Sequence, residues 1–212
     1  MLKNLLLKYF LPLILLATPC YAESAEIAPL LAELKLAAAE TETLSSRFVQ
    51  EKHLAIFAEK LLSQGRFVYR RPDRLRWELL APVAAGFVLQ GEHGERWNSL
   101  SREQESFSVD NDPIMGMIAQ QLLAWARVDL DWLQSRYRME LQSIEPVTLR
   151  LYPLDQGEAE FIDYLEILFS ADRRHVAEVL MVEQEGDSTL LRFIDVEINA
   201  ELPLDAFQVP GF

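Results

Sequence analysis

Three histidines, His53, His93 and His175, are the first residues to weigh for metal or acid–base chemistry. None has a second His or a Cys at metal-ligand spacing, and no His-Glu-x-x-His occurs, so the pattern supports no zinc site. The chain has no Gly-x-Ser-x-Gly elbow, no P-loop and no Gly-x-Gly-x-x-Gly turn. Asp110-Asn111-Asp112 resembles the start of a calcium loop but lacks the Gly and the later Glu, and helix capping suits it better. No catalytic residue, metal or cofactor is therefore expected, and the chain is not read as an enzyme. What stands out is a supply of bulky apolar side chains. Phe67, Tyr69, Leu75, Trp77, Leu79, Phe87, Leu89 and Trp97 fall in consecutive extended runs, and Ile114, Met115, Met117, Ile118 and Leu122 follow on a helical stretch. Such residues either interlock as a packed core or line a cavity for a hydrophobic ligand, where flexible Met side chains suit an adaptable cover. The pattern admits both.

The elements that position these residues are organised around 64–82. Two extended runs flank Arg71-Pro72-Asp73, where Pro72 keeps Arg71 out of the helical region and Asp73 favours a turn. Phe67, Tyr69 and Arg71 share one face of the first arm. Leu75, Trp77 and Leu79 share one face of the second, with Arg74, Arg76 and Glu78 opposite. The spacing predicts an antiparallel hairpin with an apolar inner face and a charged outer one. Arg71 shares parity with Tyr69 and either points inward, where carbonyls at a helix end would satisfy it, or stays solvated in the turn as Arg70 does.

The chain opens with an amphipathic helix over 26–41 and a strand over 45–54. After the hairpin come short strands at 85–90, 95–100 and 106–109, with turns at Gly91, Gly94 and Ser101. Asp112-Pro113 starts a helix over 113–126 that is apolar over most of its circumference and should be covered on more than one side. Asp129 caps a second short helix. Strands follow at 137–144, 147–154, 161–170, 175–185 and 189–199, joined by short turns. The fold class is mainly β with α: one strongly curved antiparallel sheet of about eleven strands, an incomplete, open β-barrel, with helices as a lid on its concave face. No composition break divides residues 23–212, so a single domain is expected.

Charge narrows the partners. The 212 residues carry a formal charge of −13. That balance argues against nucleic acid and against electrostatic docking on an anionic membrane. Residues 1–22 read as a signal peptide: Lys3 and Lys8 precede an apolar stretch, and Cys20-Tyr21-Ala22 ends in a small-x-small site. Cleavage after Ala22 and export to the periplasm of a Gram-negative cell are expected. Pro19 stands where a lipobox needs a small residue, which disfavours lipidation at Cys20. The mature chain loses two lysines and no acids, leaving 18 cations against 33 acids, a charge of −15.

Gly65, Arg71-Pro72-x-Arg74-Leu75-Arg76-Trp77-Glu78 and Pro82 resemble the signature hairpin of the periplasmic outer-membrane lipoprotein carrier (LolA) family. Phe48-Val49-Gln50 resembles that family's Phe-x-Gln strand, Gly94-x-x-Trp97 its Asp-Gly-x-x-x-Trp turn, and Asp112-Pro113-Ile114-Met115 its Pro-led lid helix. His93 stands in place of the Asp, and Asn98-Ser99-Leu100 lacks the usual Tyr-x-Pro. The resemblance implies an open barrel with a helical lid over an apolar cavity that shields the acyl chains of lipoproteins in transit. It implies loading by an inner-membrane ABC transporter or exporter, delivery to an outer-membrane acceptor, and a monomer. By resemblance Trp77 belongs to the cavity wall, Ile114, Met115 and Met117 to the lid, and Arg71 is the latch that holds the lid closed. The departures leave room for a paralogue that carries a non-protein lipid, acylated or polyene.

Overall fold

Why the chain curls into one sheet follows from its alternation and short connections. The computed structural model describes residues 22–57 and 59–211. The predicted signal segment therefore lies outside the described residues, except Ala22. Eleven strands form: β1 (Thr43–His53), β2 (Leu61–Arg70), β3 (Arg74–Ala81), β4 (Ala85–Gln90), β5 (His93–Asn98), β6 (Glu103–Ser108), β7 (Tyr137–Ile144), β8 (Val147–Pro153), β9 (Ile162–Phe169), β10 (Val176–Glu183) and β11 (Ser188–Ile198). Each hairpin neighbour pairs antiparallel, giving the order β6-β5-β4-β3-β2-β1-β11-β10-β9-β8-β7. Two meanders thus meet at a seam where the first strand pairs the last, from Leu44 opposite Ile198 to His53 opposite Ser188. The outer strands β6 and β7 do not pair, so the barrel stays open, as expected.

Helices cross the concave face. α1 (Ala22–Ala38) turns Ile27, Leu31, Leu34 and Ala38 into the core, a 4-3-4 spacing that marks one helix face. α2 (Pro113–Arg127) and α3 (Leu130–Arg136) carry the chain from edge β6 to edge β7. The Asp112 carboxylate caps α2 by accepting from the Met115 amide at 3.1 Å, with Pro113 in the first turn. Val128 adopts a left-handed conformation (φ 51°) that ends α2, and Asp129 then caps α3 through the Trp132 amide at 3.1 Å. A single turn, α4 (Gln156–Ala159), occupies the expected Asp155-Gln156-Gly157 turn.

Three local expectations change. Gly94 is inside β5, opposite Leu89, and the turn is Gly91-Glu92. A side chain at Gly94 would collide with the Phe107 ring, so the glycine serves packing across the sheet. α2 is covered on one side only: Met115, Ala119, Leu122 and Leu123 are buried, whereas Ile114, Met117 and Ile118 face solvent. The charged outer face of the β2–β3 hairpin is itself covered. Residues 201–208 cross it, and Val68, Arg76, Glu78 and Val88 are buried with Leu202 and Ala206. Arg76 donates to the Ala206 and Gln208 carbonyls at 3.3 and 2.6 Å and to Glu78 at 3.0 Å.

Candidate functional site

Register decides which of the eight bulky residues share a face. Phe67 stands opposite Trp77, and Trp77 opposite Phe87; Tyr69 stands opposite Leu75, and Leu75 opposite Leu89. With Leu79, these seven point to the concave side. Trp97 does not. It pairs with Gly86, which pairs with Glu78, so its indole lies on the convex face beneath the Arg76 guanidinium, 5.1 Å from the ring centroid. Trp97 still borders the cleft described below, but its ring turns away from the concave face. The two-residue turn at Gly91-Glu92 sets this parity and turns its neighbour Arg96 inward, opposite Phe87.

Gly65 explains how the aromatic wall forms. Phe48 lies across β2 at this point, and a side chain on Gly65 would collide with the Phe48 ring and the Glu78 carbonyl. With that space free, Phe48 stacks on Trp77, centroids 4.0 Å apart and planes within 15°. Phe67 meets the same indole edge-on at 6.1 Å.

The interior is packed at its centre and open at one margin. Phe67, Tyr69, Leu75 and Leu89 are buried among core residues of α1, α2 and the sheet. Under the C-terminal half of α2 only about 10 Å³ is free, beside Phe67, Trp125 and His175, too little for a ligand. Under its N-terminal half lies a part-open cleft of about 340 Å³, walled by Trp77, Leu79, Phe87 and Met115, with Arg96, Glu103 and Glu105 at its border. Among the lid candidates, Met115 and Leu122 face the sheet, while Ile114, two-thirds exposed, Met117 and Ile118 face outward.

Polar groups hold the cover in place. Arg96 bridges the sheet to the cap of α2, donating to Asp112 at 3.0 Å and to Glu105 at 2.7 Å. Its inward orientation was not anticipated, since arginine alternation alone reads as a solvated face. Arg71 donates to the Ala39 carbonyl at 2.9 Å, just past α1, and its own amide donates to the Glu42 carbonyl at 2.8 Å. The partner of this expected latch is thus the α1 end. Burial raises the Tyr69 phenol pKa, against the opposing charges of Arg127 and Arg71. Burial likewise pushes the His175 imidazole down, with Asp172 at 3.8 Å opposing. Among the described residues no three metal-ligating side chains come together.

Comparison with known proteins completes the picture. The family described as "Outer membrane lipoprotein carrier protein LolA" matches residues 39–210. The chain belongs to the LolA family. An outer-membrane lipoprotein carrier protein of Pseudoalteromonas translucida is 20% identical over 199 residues, covering 92% of this chain and 86% of that one. Two solved structures share the fold. An uncharacterized conserved protein from Thermus thermophilus superposes with a TM-score of 0.54 at 10% identity, over 89% of this chain and 94% of that one. The Pseudomonas aeruginosa MucA/MucB complex gives 0.52 at 18% identity, over 87% of this chain and 61% of that one. The LolA family and the LolA-like fold are thereby established.

Proposed function

We propose that this protein is a periplasmic carrier that shields the acyl chains of lipoproteins while they travel from the inner to the outer membrane. The observation that carries this reading is the half-open apolar cleft between Trp77, Leu79, Phe87 and Met115. At about 340 Å³ it lies at the low end of the usual range for small-ligand sites. Each buried methylene is worth about 0.8 kcal/mol, so a segment of six already gains roughly 5 kcal/mol. A longer chain needs α2 to lift. The outward Ile114, Met117 and Ile118 then become available to cargo, and the helix acts as the movable cover whose two positions the ligand selects between. In this reading Arg71 stays a latch, acting on the end of α1, while Arg96 and Asp112 hold α2 down. An inner-membrane transporter loads the cleft and an outer-membrane acceptor empties it.

The test uses Trp77 as reporter. The mature protein is mixed with a triacyl lipopeptide carrying bromine on an acyl chain, and tryptophan fluorescence is read beside native mass spectra. Quenching that disappears in Trp77→Phe, together with a one-to-one complex, supports the cleft. Leu79→Asp should weaken binding about tenfold or more. A bromolipid complex whose quenching is the same in Trp77→Phe would place the ligand elsewhere. Binding of a diacyl lipid with no response to lipopeptide would change the cargo to a non-protein lipid.

A further inference from the structure

The antiparallel register sorts the strand connections to two ends of the sheet. One end carries the β1–β2, β3–β4, β5–β6, β8–β9 and β10–β11 connections, and the other carries β2–β3, β4–β5, β7–β8 and β9–β10. Exposed apolar side chains are distributed very unevenly between them. On the first end, Ile56, Phe57, Leu61 and Leu62 stand on the β1–β2 hairpin, Leu80 at the end of β3, Leu100 in the β5–β6 turn, and Leu154 and Phe161 in the β8–β9 connection; Ile56 is 84% exposed and Leu100 81%. Among the described residues the four hairpins of the opposite end expose one, Ile144, beside turns made of Arg71-Pro72-Asp73 and Asp172-Arg173-Arg174, with Leu36 and Ile114 exposed at the adjoining helix ends.

Exposure of this kind has a structural cause. Pairing of β2 with β3 stops at Gln64, whereas pairing of β1 with β2 continues to Lys52 opposite Leu61. The β1–β2 hairpin therefore projects past its neighbour, and Leu61 and Leu62 lose cover on that side. Projecting apolar tips are costly in water unless something receives them.

Charge divides the first end itself into two halves. Residues 54–62, 80–84 and 99–102 contain one acid, Glu59, and two cations, Lys60 and Arg102, in a chain with 33 acids. The other two hairpins of that end carry Asp155, Glu158, Glu160, Glu185 and Asp187. The cleft opens beside the half with few charges: Leu79, Ala85, Asn98 and Glu103, which border it, form the last paired rungs toward this end.

We propose that the β1–β2, β3–β4 and β5–β6 tips seat the protein on the interface of a zwitterionic lipid bilayer, with the cleft mouth toward the membrane. Separate apolar tips on three hairpins suit a soft, deformable interface, which each can enter on its own. With Glu59 their one acid against Lys60 and Arg102, these tips approach lipid phosphates more readily than the acidic β8–β9 and β10–β11 hairpins of the same end. The inference rests on the carrier reading, and it gives an acyl chain a route between bilayer and cleft that does not cross bulk water.

The test is flotation of the mature protein with phosphatidylcholine vesicles, beside vesicles with added phosphatidylglycerol. Wild type should float with the neutral vesicles, with little response to salt, and less with the anionic ones. Ile56→Ser/Phe57→Ser should lose vesicle binding about tenfold while keeping its melting temperature, since both side chains are exposed. The same variant should bind a water-soluble acylated peptide within about twofold of wild type, since neither residue lines the cleft. Wild type that ignores neutral vesicles, or a variant that floats equally well, overturns the docking proposal even where the acylated peptide binds. Failure to bind the acylated peptide, with vesicle binding intact and lost in the variant, sinks the carrier reading and leaves the docking face standing.

Discussion

Arg76 and Glu78 show how much one residue pair decides. Arg76 is 2% exposed and satisfies two carbonyls of the C-terminal segment, one carboxylate and the face of Trp97. Burial pushes the Glu78 carboxyl up, but hydrogen bonds from Arg76 and Arg66 outweigh it and hold it below the usual carboxylate range. Removing Arg76 leaves the buried Glu78 paired with the half-exposed Arg66 alone and orphans two carbonyls, so Arg76→Met should cost about 3 kcal/mol in urea unfolding. The paired change Arg76→Met/Glu78→Leu should recover most of that loss. The pH dependence has a definite sign. A carboxylate whose folded pKa is depressed contributes stability above its unfolded pKa, near 4.5, and loses it as pH falls through the folded value. Glu78→Gln should therefore flatten the acid limb of the stability curve below about pH 4.5, and an unchanged limb would show that the network carries no such weight. Gly65 is the second deciding residue. Gly65→Ala drives a methyl into Phe48 and into a backbone carbonyl that cannot retreat, for an expected loss of about 1–3 kcal/mol and a broken Phe48–Trp77 stack visible in near-UV circular dichroism.

Among the elements, α2 is the one whose mobility matters. Asp112 caps it and ties it to Arg96, so Asp112→Ala should cost about 1 kcal/mol and raise amide exchange in the first turns of α2 before any other part of the sheet responds. Acyl-peptide exchange should quicken in the same variant; slower exchange would mean that α2 does not gate the cleft. Most strands were legible in advance because alternation and turn residues are local signals: 64–82 folds as β2 and β3 around Arg71-Pro72-Asp73, and Asp112-Pro113 opens α2. Facing was less legible. Trp97 is misplaced by parity alone, because a one-residue change in the β4–β5 turn flips every later side chain of β5. Arg76 and Glu78 look like a solvated pair until residues 201–208, far along the chain, cover them. α2 reads as apolar all round, yet it is buried on one face, and that mismatch between composition and cover is what singles out Ile114, Met117 and Ile118. The cleft itself is a shape, set by how far β3–β6 curve beneath α2, and no spacing rule encodes it.

At the scale of the molecule, strand pairing among the described residues joins the two meanders at β1 and β11, while α2 and α3 run as a strap from one free edge to the other. Opening can then concentrate between the strap and the β3–β6 flank without unzipping the seam. Exchange measurements should show β1 and β11 as the most protected strands and β6 as the least. The seam has a further effect, on the order of events in biogenesis. Leu44 finds its partner in Ile198, so the strand made first waits for the strand made last. Local hairpins can form early, but ring closure over such a separation is slow, and folding in the millisecond-to-second range is expected. A chain that stops short of β11 has no seam at all and should stay protease-sensitive. A strand that closes the sheet from so far along the chain keeps the polypeptide open until β11 has been made.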